Sequence, residues 1–129
     1  MPQNYTLSVN MSMTASSATG YSQSQSGAYT LNITGVDQIA TGRIDVAHDG
    51  DSTIMAAPGH GRFVYIKNLD DTNFVKIYDG ASSAADYVGI LKPGEFLMTI
   101  IRGTGTTVAR ADTATVTVEY AAIEIDSNA

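Results

Sequence analysis

The chain has no cysteine and no tryptophan, and only three prolines among its 129 residues. The absence of cysteine excludes disulfides, thiolate metal sites and cysteine nucleophiles. Charge is scarce as well, because Asp, Glu, Lys and Arg make up 16% of the residues, against about 25% in an average globular protein. Ser, Thr, Asn and Gly take their place, and a surface of that kind packs against a neighbour at little desolvation cost.

Basic residues are few and lie singly along the chain. Seven Lys and Arg stand against thirteen Asp and Glu, for a net charge of −6. Nucleic-acid-binding proteins cluster their basic side chains to replace phosphate counterions, so we expect no nucleic-acid partner. We expect no membrane association either, because no run approaches the ~18 apolar residues of a membrane span and the first residues lack the basic and apolar regions of a signal peptide.

What is present is an alternation of apolar and polar residues with a period of two. It is strict from Tyr5 to Met13, where Leu7, Val9 and Met11 alternate with polar residues, and this pattern predicts a half-buried strand. Further short alternating runs follow, separated by Gly, Pro, Asn and Asp turns, and no helical stripe of useful length occurs. The pattern predicts one all-β domain over residues 1–129, an antiparallel β-sandwich, jelly-roll-like, of eight or nine short strands.

Two segments depart from simple alternation. Residues 14–27 are rich in Ser and Gly and almost free of aliphatic residues, which predicts a flexible loop, or a loop that becomes ordered only on a neighbour with Tyr21 as its anchor. In the last strand, residues 114–125, the apolar phase flips, so that Ile123 and Ile125 fall on the opposite face from Val116. Either a β-bulge restores one buried face, or the end of the strand buries its other side outside the domain, which we favour.

The sequence offers little that could carry catalysis. His48 and His60 lie in turns, and no G-x-S-x-G elbow accompanies them, so we expect no catalytic residues. The acidic pairs Asp49/Asp51 and Asp70/Asp71 are typical of hairpin turns. A Ca²⁺ site in an acidic loop stays open as an alternative, but we expect no metal and no cofactor. Tyrosines in the strands leave glycan binding open as well.

The second half of the chain resembles a known class of proteins. It contains YIKN at 65–68, the acidic turn DDTN at 70–73, KPGE at 92–95 and ADTATVTVEY at 111–120. Segments of this kind, in this order, resemble small β-rich structural proteins from the virions of tailed bacteriophages, and the resemblance covers about half of the chain. It implies a jelly-roll-type fold, a homo-oligomer, and attachment to a capsid or tail surface.

On this resemblance we expect a capsid cement, or decoration, protein. It would be synthesised in the host cytoplasm, lie on the outer capsid surface, and bind the major capsid protein and copies of itself, with a trimer as the first guess by analogy. The alternative is a tail, baseplate or fibre module that recognises a host surface glycan. The residues that we expect at the interface are Tyr5, Leu7, Val9, Tyr21, Ile123 and Ile125. We also expect that replacing Ile123 and Ile125 with Ser weakens assembly more than folding.

Overall fold

Strands are the only regular elements in the part of the chain that the structure describes. A computed structural model of the protein describes residues 3–16, 18, 20, 22–36, 39–56, 61–83, 87–102 and 105–125. It contains ten strands, which are β1 (Gln3–Ser16), β2 (Ser22–Val36), β3 (Ile39–Val46), β4 (Ser52–Met55), β5 (Arg62–Asn68), β6 (Val75–Asp79), β7 (Tyr87–Leu91), β8 (Phe96–Ile101), β9 (Thr107–Ala111) and β10 (Val116–Glu124). The predicted all-β class is confirmed.

Eight of the strands form an antiparallel β-sandwich, as predicted. One sheet, called here the front sheet, has the order β3-β10-β5-β8, and the other, the back sheet, has the order β4-β9-β6-β7. The eight strands pair as one long hairpin folded over: β6 with β7, β5 with β8, β4 with β9 and β3 with β10. Consecutive pairs of this nested series lie alternately in the back and the front sheet. Within each sheet, two such pairs are joined by strands far apart in sequence, β5 with β10 and β6 with β9.

Small and β-branched residues fill the space between the two sheets. On β5 the inward residues Val64 and Ile66 alternate with outward ones, and on β6 Val75 and Ile77 do the same; all four are fully buried. Alternation places one apolar face of each strand against the other sheet. Strand β10 contributes Val116, Val118 and Ala122 from its inward face, all with no exposed surface.

A polar cluster closes one end of this core. Arg62, at the start of β5, is fully buried, and its guanidinium donates to the Thr107 hydroxyl on β9 and to the Asp79 carboxylate on β6. These contacts cross from the front sheet to the back sheet. A buried guanidinium is tolerated only when it is paired and hydrogen-bonded, so this cluster fixes how the two sheets meet.

A buried amide holds the opposite end. Asn68 has no exposed surface, and its Nδ2 donates to the carbonyls of Asn73 and Leu91, both at 2.9 Å. The side-chain Oδ1 of Asn68 accepts from the N–H of Asp70 at 2.8 Å, and its backbone carbonyl accepts from the N–H of Gly94 at 3.1 Å. Gly94 has a φ of +81° and follows proline, as a type II turn requires. The YIKN and KPGE segments are thus joined by hydrogen bonds of Asn68, and these bonds stabilise the fold.

The structure corrects two details of the sequence prediction. The strands number ten among the described residues, not eight or nine, because β1 and β2 form a separate two-stranded sheet besides the eight strands of the sandwich. The loop predicted at 14–27 is shorter, since residues 14–16 belong to β1 and residues 22–27 to β2, in register from Thr14 opposite Ser24 to Met11 opposite Gly27. The sequence pattern misses this pairing because residues 22–27 are mostly Ser and Gln and show no apolar alternation, so the strands are joined by backbone hydrogen bonds alone.

Candidate interaction surfaces

The hairpin formed by β1 and β2, called here the arm, is the first candidate surface. In the described part of the chain its strands pair only with each other. Every arm side chain that the structure describes is exposed, apart from half-buried Val9. Met11 and Met13 are each 59% exposed. A two-stranded sheet that covers so little of its own apolar surface is marginal in water, so the arm is poorly stabilised by this chain alone.

Charge is absent from the arm. The first Asp, Glu, Lys, Arg or His of the chain is Asp37, so residues 1–36 carry no charged side chain. Proteins commonly protect the free edges of a sheet with Lys, Pro or a bulge, because an unprotected edge pairs with another chain. The arm has neither Lys nor Pro in its strands, and its one register shift lies at the base, between Gln3 and Tyr5. Its edges are therefore open to a further strand.

An apolar groove of about 290 Å³ lies where the arm meets the front sheet. It is lined by Val9, Met11, Gly27 and Ala28 of the arm and by Phe63, Met98, Thr99 and Ile100 of the sheet. Phe63 is only 8% exposed although it points away from the sandwich core. The middle of the arm thus lies against part of the outer face of the front sheet and leaves the rest of that face open.

The outer face of the front sheet continues the apolar surface beyond this groove. The strand registers place four apolar residues in one row across the sheet: Ile39, Ile123, Phe63 and Ile100. A second row ends in Met98, and Phe96 follows on the same strand. Phe96 is 58%, Ile39 43% and Met98 39% exposed. Phe96 and Met98 are neighbours on β8, whereas Ile39 lies on β3 at the opposite edge of the sheet. Exposed apolar residues that lie side by side, such as Phe96 and Met98, mark sites of contact with other proteins.

The charges on this face cancel. They are Arg43, Asp45, Lys67 and Glu119, and Glu119 lies 3.9 Å from Arg43. Glu119 also accepts a hydrogen bond from the Tyr65 hydroxyl at 3.1 Å. Partial burial and then this carboxylate raise the pKa of Tyr65 above its usual value. The face is therefore apolar with a neutral polar margin, in a chain whose net charge is −6.

The residues predicted at an interface from the N-terminal half fall on the arm where they can be placed. Val9 lines the groove. Tyr5 pairs with Ile33 and Leu7 with Leu31 at the base of the arm, but their side chains are outside what the structure describes, as is Tyr21 altogether. Sequence reasoning did not single out Met11, Met13, Phe96 and Met98. The signal that could have found the first two is the lack of charge up to residue 36.

Ile123 and Ile125 do not behave alike. Strand β10 runs without a register shift against both neighbours, so no bulge explains the change of apolar phase. Ile123 lies on the outer face, half-buried between Ile39 and Phe63. Ile125 follows the end of the strand and is fully buried within the chain, with its N–H donated to the Gly61 carbonyl at 2.9 Å. Ile125 therefore belongs to the interior, because residues of its own chain cover it.

A second, polar concavity lies on the outer face of the back sheet. Its volume is about 320 Å³, and it is lined by His48, Phe74, Lys76, Tyr78, Arg110, Ala111 and Asp112. Lys76 stands directly opposite Arg110 in the β6–β9 register, a placement that costs stability when both cations share one space. They diverge, since Lys76 lies 5.2 Å from the centroid of the Tyr87 ring, whereas Arg110 turns to the His48 carbonyl and the Ser82 hydroxyl.

The carboxylates of the acidic turns accept hydrogen bonds from nearby backbone N–H groups. The carboxylate of Asp70 accepts from the N–H of Asn73 at 2.6 Å and of Thr72 at 3.0 Å, and these bonds lower the pKa of Asp70. Asp51 accepts from the hydroxyl and the N–H of Ser82, which likewise lower its pKa. Among the residues described, no group of three or more His, Cys, Asp or Glu could hold a metal ion. His60 lies outside the described residues.

Comparison with known proteins adds no relative, since no family model, no curated protein and no solved structure matches this chain. No helix in the described ranges is long and apolar enough to cross a membrane.

Proposed function

We propose that this protein is a structural subunit of a tailed-bacteriophage virion, a capsid cement protein that acts by binding other subunits and not by catalysis. The observation that carries the proposal is the arm, two long strands of 14 and 15 residues without charge and with most described side chains exposed. An element of this kind gains its stability from a neighbour that covers it. Subunits that hold a lattice together need such elements.

The sandwich supports the same proposal. Its nested strand pairing, with two four-stranded sheets built from alternate pairs, is the connectivity expected of a jelly roll, and we propose that class for it. Jelly rolls occur in viral capsid proteins and also in lectins and cupins. The fold alone therefore does not select a function. The resemblance of residues 62–126 to phage structural proteins supplies the virion context.

The proposed partner is the major capsid protein. A cement protein stabilises a capsid by bridging neighbouring subunits through buried area, and stable interfaces bury roughly 800 Å² on each partner. The arm and the outer face of the front sheet offer an apolar surface with little charge to desolvate, so its burial against a partner costs little. No reacting group is needed for this role.

The location of the protein on the particle tests the proposal. Particles from the phage that encodes the chain would be labelled with antibody against it and imaged, with particles from a deletion strain as the control. We expect labels over the capsid, and capsids of the deletion strain that lose DNA at a lower temperature. A protein that is absent from purified particles, or capsids of unchanged thermal resistance, would contradict the proposal.

The polar concavity on the back sheet favours a second candidate function, a tail or baseplate module that recognises a glycan. Aromatic side chains beside hydrogen-bonding groups are the usual means of holding a sugar ring. Here Phe74 and Tyr78 stand beside Lys76 and Arg110. Labels confined to the tail, together with binding of host-surface saccharides that Lys76→Ala abolishes, would support this function over cement.

A further inference from the structure

The apolar side of the arm extends past the surface that its own chain covers. Val9, Met11 and Met13 alternate with polar residues along β1 and therefore lie on one face. Val9 and Met11 both line the groove against the front sheet, but only Val9 is half-buried; Met11, and Met13 beyond the groove, are each 59% exposed. The apolar face of the arm therefore continues past the groove, to Met13, which remains exposed.

The front sheet shows the matching deficit. Phe63, Met98 and Ile100 of its outer face line the groove with the arm, but Phe96, on the same strand as Met98, is 58% exposed. Thioether side chains adapt to irregular surfaces and contact aromatic rings favourably. Methionines without cover on the arm and a phenylalanine without cover on the sheet are therefore complementary, and every copy of the chain carries both.

Electrostatics indicate which protein provides the cover. Two copies of a chain with a net charge of −6 repel each other unless they meet where charge is absent or balanced. The arm has no charged residue, and the four charges on the outer face of the front sheet sum to zero. This is the combination that allows identical acidic chains to approach closely.

We propose that a second copy of this chain covers this surface, with the exposed methionines of one arm packed against the outer face of the front sheet of the other copy. The arm–sheet surface is defined by Met11 and Met13 of the arm and by Phe96 and Met98 of β8. The proposal deepens the proposed function by naming one partner, and it concerns the chain in solution, without any capsid.

Sedimentation of the full-length protein over a range of concentrations tests the proposal. We expect the wild type to associate, and Met11→Gln with Met13→Gln to raise the dissociation constant at least about tenfold, because two exposed apolar side chains per copy no longer favour burial. The matched control is Val88→Gln with Ile90→Gln, which removes apolar residues of similar exposure, 41% and 39%, from the back sheet. We expect the control to associate like the wild type.

The lack of cysteine makes a direct contact test possible. A Met13→Cys variant and a Phe96→Cys variant, each with a single thiol, would be mixed and oxidised. We expect a disulfide between the two variants, and little when Val88→Cys replaces Phe96→Cys. A wild type that is monomeric at every concentration, or arm variants and controls that associate equally, would overturn the proposal.

The outcome separates this inference from the function. A protein that associates through this surface but is absent from virions leaves the inference standing and removes the cement proposal. A monomeric protein that labels the capsid removes the inference and leaves the cement proposal standing.

Discussion

The arm and the sandwich are built from the same sequence pattern and end in opposite states. In β5 the alternating residues Val64 and Ile66 are fully buried, whereas in β1 the alternating residues Met11 and Met13 are 59% exposed. The difference arises from what each apolar face packs against: the inward face of β5 meets a whole second sheet, whereas the apolar face of β1 meets the front sheet only along the groove lined by Val9 and Met11. Alternation therefore predicts that one face of a strand is apolar. It does not predict whether the same chain or another chain buries that face.

Polar chemistry separates the two regions further. The sandwich is held at both ends by buried polar groups, Arg62 bonded to β6 and β9 at one end and Asn68 bonded to β7 and the turn after β5 at the other. The arm has no charged residue with which to make such contacts. The sandwich is thus stabilised by contacts within its own chain, whereas the arm requires a partner protein to bury its apolar residues. The predictions below test this contrast, starting with the largest effect.

Ile125→Ser and Ile123→Ser compare a residue of the sandwich core with a residue of the interaction surface. Ile125 is fully buried, so we expect its replacement to lower the free energy of unfolding by about 3–5 kcal/mol, the range for emptying a core site. Ile123 is half-buried on the outer face, and we expect a loss of about 1 kcal/mol or less together with weaker association. Urea unfolding measures the first effect. Equal losses for the two variants would refute the assignment of Ile125 to the interior.

Asp79→Ala breaks the buried ion pair at one end of the sandwich. It leaves the guanidinium of Arg62, which is fully buried, without this carboxylate. Breaking a wholly buried pair costs about 3–5 kcal/mol, and we expect about 2–3 kcal/mol here because the Asp79 side chain is 31% exposed. Thermal unfolding checks the value. Arg62→Met with Asp79→Ala should recover part of the loss, and a double variant weaker than Asp79→Ala would contradict this reading.

Asn68→Ala removes the amide that joins the turns at the other end. Two carbonyls and the N–H of Asp70 lose a partner, and each buried polar group left unpaired costs about 1–3 kcal/mol. Since water can reach part of these turns, we expect a loss of about 2 kcal/mol in urea unfolding. Asn73→Ala is the control, because its backbone carbonyl stays in place. A similar loss in both variants would count against the special role of Asn68.

Acid should weaken the sandwich through its turns. The pKa values of Asp51 and Asp70 are lowered in the folded chain by hydrogen bonds to their carboxylates, so their stabilising effect is complete above the ordinary aspartate value of about 3.9 and is lost as the pH falls through the lowered values. We expect the melting temperature to fall below about pH 4. Asp70→Asn should flatten this dependence, and an unchanged slope would contradict it.

Met13→Ser should have the smallest effect on folding. Met13 is 59% exposed in the isolated chain, and exposed substitutions usually change stability by about 0.5 kcal/mol or less. We expect no measurable change in the unfolding of a dilute sample, and weaker association in a concentrated one. Dilute unfolding and sedimentation of the same variant provide the two readings. A loss of stability comparable to that of Ile125→Ser would mean that the arm is part of the core.

The sequence predicted the sandwich because its strands carry their own signals. Val64, Ile66 and Ile77 alternate with outward residues, and Pro and Gly mark the turn that ends at Glu95. It missed the length of the arm, since residues 14–16 and 22–27 pair through the backbone with polar side chains on both faces. It also placed Ile125 outside the core, because the period of two does not extend past the end of a strand.

The interaction surfaces were only partly predictable. Val9 was expected at an interface and lines the groove, but the match of Met11 and Met13 with Phe96 joins residues more than 80 positions apart in the chain, and no local pattern relates them. The concavity around Lys76 and Arg110 depends equally on the pairing of β6 with β9. Surfaces of this kind arise from topology, which single-sequence patterns do not specify.

Amide hydrogen exchange of the arm, in the dilute protein and in the assembled state, tests most directly the claim that this chain relies on other subunits to cover its arm. We predict that amides of residues 3–16 and 22–36 exchange quickly in the dilute chain, far faster than those of β5 and β10, and become protected on assembly. Exchange of the arm that is as slow as that of β5 in the dilute protein, or unchanged by assembly, would contradict the claim.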